Sequence, residues 1–166
     1  MKEGKIRFKT VFLSDNIPFN AKIDELKKWS KIFQKQGLTP EIKGNYTGNL
    51  SFRFKKGFVI TASGLKDKEN LMDDSFVYIK NYDEKSNTIF LEGNAEKLEL
   101  PVTGKEYSPG TQSLAKEVVK ILEKSKLIVL KNHGFVCLGA TIEEAGELAL
   151  VTLNRSKMEN LEKYSK

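Results

Sequence analysis

The chain has one histidine and one cysteine in 166 residues, and these two scarcities bound its chemistry before any pattern is considered. Zinc sites ordinarily draw three or four ligands, mostly from His and Cys. His133 and Cys137 alone need carboxylates or a neighbouring subunit to complete a tetrahedral shell. One cysteine excludes an internal disulfide and suits a reducing compartment. Cys137 falls in an apolar run and reads as core rather than as a nucleophile. A Ser-His-Asp device is open only through His133. Arginine is scarce too: Arg7, Arg53 and Arg155 stand among 28 basic residues, and Arg is the usual reader of bases, so nucleic acid is not expected as a partner. No apolar run approaches the ~20 residues of a membrane helix. Met1-Lys2-Glu3-Gly4-Lys5 lacks the apolar stretch of a signal peptide, so no membrane partner and a cytoplasmic location are the expectations.

What is present suits a soluble globular chain. Hydrophobic residues make up 39% and charged residues 30%, enough of each for a core and a solvated surface. Neither an internal repeat nor a low-complexity tract divides the sequence, so residues 1–166 are read as a single domain. The formal charge of +6 is uneven, with 13 Lys or Arg against 5 Asp or Glu in residues 1–60. Such a basic third can attract a small anion, although most of these lysines fall on the polar side of a helical pattern.

Alternation predicts a strand over 5–13, at a sheet edge, broken by Asn16 and Pro18. Ile23, Leu26, Ser30 and Phe33 recur at helical spacing, with Gly37 as C-cap and Pro40 beyond it. Strands follow at 50–54 and 58–61 around a Lys55-Lys56-Gly57 turn, then at 76–79 and 88–91, with 81–87 as a turn. Residues 67–71 suggest a loop or one helical turn, 96–100 a short strand and 101–109 a loop. Thr111 is a good N-cap for a helix using Leu114, Val118, Ile121 and Leu122. Short strands at 127–130 and 135–138 flank a turn at 131–134. Thr141 and Glu144 form a capping box for a last helix that runs towards Lys163 and buries Ala145, Leu148, Ala149 and Thr152. The expected class is α/β, a central, mainly antiparallel sheet flanked by helices.

Two corners stand out. Gly44-Asn45-Tyr46-Thr47-Gly48-Asn49-Leu50-Ser51 leads into one strand, and Ile60-Thr61-Ala62-Ser63-Gly64 ends the next. Taken alone, each is most simply a hairpin connection, because Gly and Asn accept positive φ cheaply. Together they offer backbone N–H groups and polar side chains suited to an anion.

Five short motifs in order give the chain a family resemblance. They are Thr47-Gly48-Asn49-Leu50-Ser51, Ile60-Thr61-Ala62-Ser63-Gly64, Gly110-Thr111-Gln112-Ser113-Leu114-Ala115, Leu130-Lys131-Asn132-His133-Gly134 and Thr141-Ile142-Glu143-Glu144-Ala145. With Gln36-Gly37-Leu38 ending the first helix, the pattern resembles the class II aldolase and adducin-head family of sugar-phosphate aldolases over about residues 23–155. The resemblance implies the family's three-layer α/β fold and a homo-oligomer. It also implies substrate-phosphate binding by Gly48, Asn49, Ser63 and Gly64. His133 reads either as a contact to ligand or metal near these corners or as a structural residue that bonds a backbone carbonyl and fixes the turn before Phe135. Tyr46 stands where the aldolases tend to carry a small residue.

The family's catalytic centre is incomplete here. Its divalent metal is usually held by three histidines, two of them in an H-x-H motif, and a glutamate of an S-S-E-type motif moves the proton. Only His133 matches. Neither motif occurs between Leu98-Glu99-Leu100-Pro101 and Tyr107-Ser108-Pro109-Gly110-Thr111, so the segment that carries both is missing. A replacement base at Glu92 or Glu106 is not selected by spacing, and Tyr107 is as well explained by packing. The expected function is binding of a small phosphorylated or otherwise anionic metabolite, with aldol chemistry lost or altered. Two alternatives are a metal-dependent aldehyde-lyase whose zinc shell around His133 is completed by carboxylates or a neighbouring subunit, and a non-enzymatic interaction module like the adducin heads.

Overall fold

A computed structural model of the chain describes residues 9–18, 20–83, 88–92, 112–122, 125–130 and 134–164. Five strands form the main sheet: β1 (Lys9–Ser14), β4 (Ser51–Phe54), β5 (Gly57–Thr61), β6 (Phe76–Asp83) and β7 (Thr88–Glu92). Their spatial order is β1-β7-β6-β5-β4. Only β1 with β7 is parallel; the other three pairs are antiparallel. Two small hairpins stand beside it, β2 (Glu41–Ile42) with β3 (Asn45–Tyr46), and β8 (Leu127–Leu130) with β9 (Gly134–Cys137). The described helices are α1 (Lys22–Gln36), α2 (Gln112–Leu122) and α3 (Ile142–Tyr164). This is the mixed α/β class, with its mainly antiparallel sheet, that alternation and helical spacing led us to expect.

The register separates the two sheet faces. Val59 lies opposite Tyr78 and Phe52, and Thr61 opposite Phe76; this face packs on Ile23 and Leu26 of α1, with Leu71 and Ile142 closing the cluster. Phe58 and Ile60 lie opposite Ile79 and Val77 on the other face, where Ile60, Val77 and Ile79 are also buried. Strands buried on both faces lose the strict alternation of a half-exposed strand. A third cluster joins Val118 of α2 to Ile128 and Leu130 of β8.

Several elements end where the local chemistry says they should. Gly37 adopts φ 75° as C-cap of α1, and the Leu38 N–H bonds the Phe33 carbonyl. Lys43 and Gly44, with φ 53° and 81°, make the tight turn between β2 and β3. The Glu144 N–H donates to Thr141 Oγ1 at 3.0 Å, as expected of the cap, but the Glu144 carboxylate takes the Ala140 N–H rather than that of the capping residue.

Two expectations are corrected. Asn81, Tyr82 and Asp83 continue β6 instead of turning, because they pair with Phe90, Ile89 and Thr88 where the strand is exposed and polar side chains cost nothing. Residues 67–71 form the loop of the two readings offered, and a single helical turn follows at Asp73–Ser75, where Ser75 Oγ accepts the Met72 N–H. Residues 45–46, read as part of a turn, pair as β3. Lys9–Ser14 is at the sheet edge as expected. Residues 5–8, the expected strand at 96–100, the loop at 101–109 and the Thr111 cap lie outside the described residues.

Candidate functional site

Because β4 and β5 form an antiparallel pair, the residues entering β4 and those leaving β5 must meet at one end of the sheet. That end holds both corners. Thr61 N–H donates to the Leu50 carbonyl at 3.0 Å, and Leu50 N–H to Thr61 Oγ1 at 3.1 Å. The Thr61 hydroxyl donates in turn to Asn49 Oδ1 at 3.4 Å, which orients the amide so that Asn49 Nδ2 meets Ser63 Oγ at 3.5 Å. Asn49 and Ser63, chosen from separate motifs, are therefore neighbours.

The glycines at this end are required by the backbone. Gly48 and Gly64 have φ 74° and 73°, in the left-handed region. A Cβ on Gly48 would also lie 3.3 Å from Thr39 Cγ2. Thr47 is anchored away from the corner, its N–H and its hydroxyl both donating to the Pro40 carbonyl at 3.0 and 2.9 Å. Tyr46, half-buried in β3, pairs with Glu41, and its N–H holds the Leu65 carbonyl at 2.8 Å. Gly48 and Gly64 are exposed, while Asn49 and Ser63 are half-buried.

Sequence reasoning missed Lys68. Its side chain is completely buried beneath the first corner. The ammonium donates to the Thr47 carbonyl at 3.1 Å and to the Gly48 carbonyl, while the Lys68 N–H donates to Gln34 Oε1 of α1 at 2.7 Å. No carboxylate pairs with it among the described residues. The acids on either side are engaged elsewhere: Asp67 accepts the Glu69 N–H and an Asn70 Nδ2 proton, and Glu69 faces Lys35. Desolvation lowers the Lys68 pKa to about 8. In Lys66-Asp67-Lys68-Glu69 the alternating charges suggest a solvated loop, so no local signal marked one lysine as buried.

His133 lies outside the described residues, as do Glu106 and Tyr107; the adjoining Gly134 opens β9 with φ 138°. Cys137 is half-buried on β9, and burial pushes its thiol up to about 11, away from thiolate chemistry. Among the described residues no group of three or more His, Cys, Asp or Glu is placed to hold a metal. A chain with one histidine does not supply a three-histidine centre. Two shallow depressions on the described surface, one beside Ala115 and Val119 and the other beside Lys27 and Asp73, lie apart from the corners. No described helix is long and apolar enough to cross a membrane.

The fold is thus a mixed α/β structure whose two polar corners close one end of an antiparallel sheet. Residues 89–159 match the family described as the Class II Aldolase and Adducin N-terminal domain. The match is to part of that domain, in agreement with a shortened form that lacks the H-x-H and catalytic-glutamate segment. It takes in the motifs at 110–115, 130–134 and 141–145, whereas the corners at 47–51 and 60–64 precede it. Comparison with curated proteins gives no match.

Proposed function

We propose that the chain binds a small phosphorylated or carboxylated metabolite at Gly48, Asn49, Ser63 and Gly64, with the aldol chemistry of the resembled family lost or altered. The observation that carries this reading is the meeting of Asn49 and Ser63 across two glycine corners, with Asn49 oriented through Thr61. Left-handed glycines let an anion approach the backbone, and the Asn and Ser side chains add hydrogen-bond donors. In the family's three-layer arrangement and homo-oligomer, His133 would complete the ligand contacts from the strand end before Gly134. No described donor cluster favours a metal-dependent lyase.

Thermal denaturation with inorganic phosphate and dihydroxyacetone phosphate tests the proposal. A ligand at one hundred times its dissociation constant stabilises by about 2.7 kcal/mol. The expected result is a rise in Tm that Asn49→Ala abolishes. The same Tm with and without millimolar ligand, in parent and variant alike, would replace this reading with an interaction module.

A further inference from the structure

We infer that Lys68 supplies the positive charge of the anion corner, its buried ammonium polarising the two peptide groups that end in the Gly48 and Asn49 N–H, so that the corner prefers a phosphate dianion to a carboxylate. The inference rests on the anion-binding reading above and adds to it the source of the charge and the class of ligand.

The argument begins with peptide geometry. The C=O and N–H of a trans peptide point in opposite directions, and the described chain contains no cis bond. The Thr47 carbonyl belongs to the same peptide as the Gly48 N–H, and the Gly48 carbonyl to the same peptide as the Asn49 N–H. Lys68 Nζ donates to both carbonyls from beneath. Both N–H ends are therefore directed away from the ammonium, and a cation on a carbonyl strengthens the N–H across the peptide as a donor. The Gly48 N–H has no acceptor among the described residues, and Gly48 is exposed.

Charge provides the second half. An ammonium held out of water without a counter-ion is costly, and its two carbonyls compensate only in part. An anion above the turn supplies an opposite charge that no described carboxylate provides, without entering the core. The attraction scales with ligand charge, which favours phosphate monoesters and inorganic phosphate over a monocarboxylate. The buried Thr39 Oγ1, without a hydrogen-bond partner among the described residues, lies on a side chain that packs against Gly48 and leaves one more polar group under the turn.

A purely structural lysine would tie the turn to α1 and nothing more. Lys68→Gln separates the two roles, because the amide still donates to carbonyls but carries no charge. The parent, Lys68→Gln and Asn49→Ala would be titrated calorimetrically with inorganic phosphate and, in parallel, acetate at pH 7.5. Expected are phosphate binding by the parent, at least tenfold tighter than acetate, and a loss of tenfold or more in phosphate affinity in each variant. A smaller loss in Lys68→Gln, with Asn49→Ala still impaired, overturns the role of Lys68 and leaves the site standing. Equal affinity of the parent for acetate overturns the preference for a dianion. No phosphate binding by the parent overturns the site and the inference together. Should Lys68→Gln fail to show a cooperative melt, the parent decides: saturating phosphate must shift the Lys68 15Nζ resonance, and an unmoved resonance refutes the inference.

Discussion

At Lys68 folding and the proposed anion binding would pull in opposite directions, and pH tests the folding side. The folded pKa of about 8 lies below the ordinary 10.5, so burial favours the neutral amine. Between those values the unfolded chain binds more protons than the folded one, and stability attributable to Lys68 rises with pH. Cys137 has the opposite sign: its thiol, raised from 9.0 to about 11, favours the folded state less as the unfolded thiol ionises. Comparing the parent with Lys68→Met cancels the cysteine. The parent should gain about 2 kcal/mol relative to Lys68→Met between pH 8 and 9.5, with no relative change from pH 6 to 7, measured by urea denaturation. A flat difference across the alkaline range would show that Lys68 is not desolvated as described. Gly57 gives a simpler expectation at this scale. Any Cβ there would collide with the Ile79 carbonyl on the neighbouring strand, so Gly57→Ala should destabilise by about 3 kcal/mol in the same assay.

Among the elements, those with a periodic apolar pattern were legible and those made by context were not. Ile23 and Leu26 identified the buried face of α1, and the strands at 50–54 and 58–61 were legible as a hairpin, because burial of Phe52, Val59 and Ile60 imposes these periods. Asn81-Tyr82-Asp83 concealed the end of β6, since an exposed strand is held by backbone pairing and permits turn-like composition. The pairing of β2 with β3 was hidden because its turn holds Lys43 at a left-handed φ that lysine seldom adopts. The corners were legible as glycine turns, and hairpin topology brought them together; the burial of Lys68 depends on packing against Gln34 and on two distant carbonyls, which no local spacing encodes. The start of α3 was readable in Thr141 and Glu144. Thr141→Ala, which removes the acceptor for the Glu144 N–H, should cost about 1 kcal/mol in urea denaturation. The contact of α3 with α1 was less readable, although it depends on one glycine. A Cβ on Gly146 would lie 2.6 Å from Trp29 Cδ2, so Gly146→Val should separate the helices and red-shift the fluorescence of Trp29, the only tryptophan.

For the whole molecule, the boundary of the family match is not a boundary of the fold. Residues 89–159 begin inside β7, and β7 lies between β1 and β6 with partners on both sides. The same segment returns to the sheet through α3. Ile142 joins the cluster of Phe52, Val59 and Phe76, Glu143 faces Lys28, and Gly146 lies against the Trp29 ring. An isolated segment from residue 89 onward would therefore lose both neighbours of β7 and expose Ile142, with the described residues of β8, β9 and α2 left to supply a cluster around Val118, Ile128 and Leu130. Elements that share a sheet and a core cluster, as β7 does with β6 and Ile142 of α3 does with α1, are expected to unfold together. Trp29 reports the α1–α3 contact, and far-UV circular dichroism reports all the helices and strands, so in urea the two should follow one coincident transition for residues 1–166. A peptide of residues 89–166 should show no cooperative transition under the same conditions. Coincidence would make the corner at Asn49 and Ser63 part of the same cooperative structure as the family-like segment. Two separated transitions, or a cooperative fragment, would instead make residues 89–166 a domain of their own and detach the proposed anion corner from it.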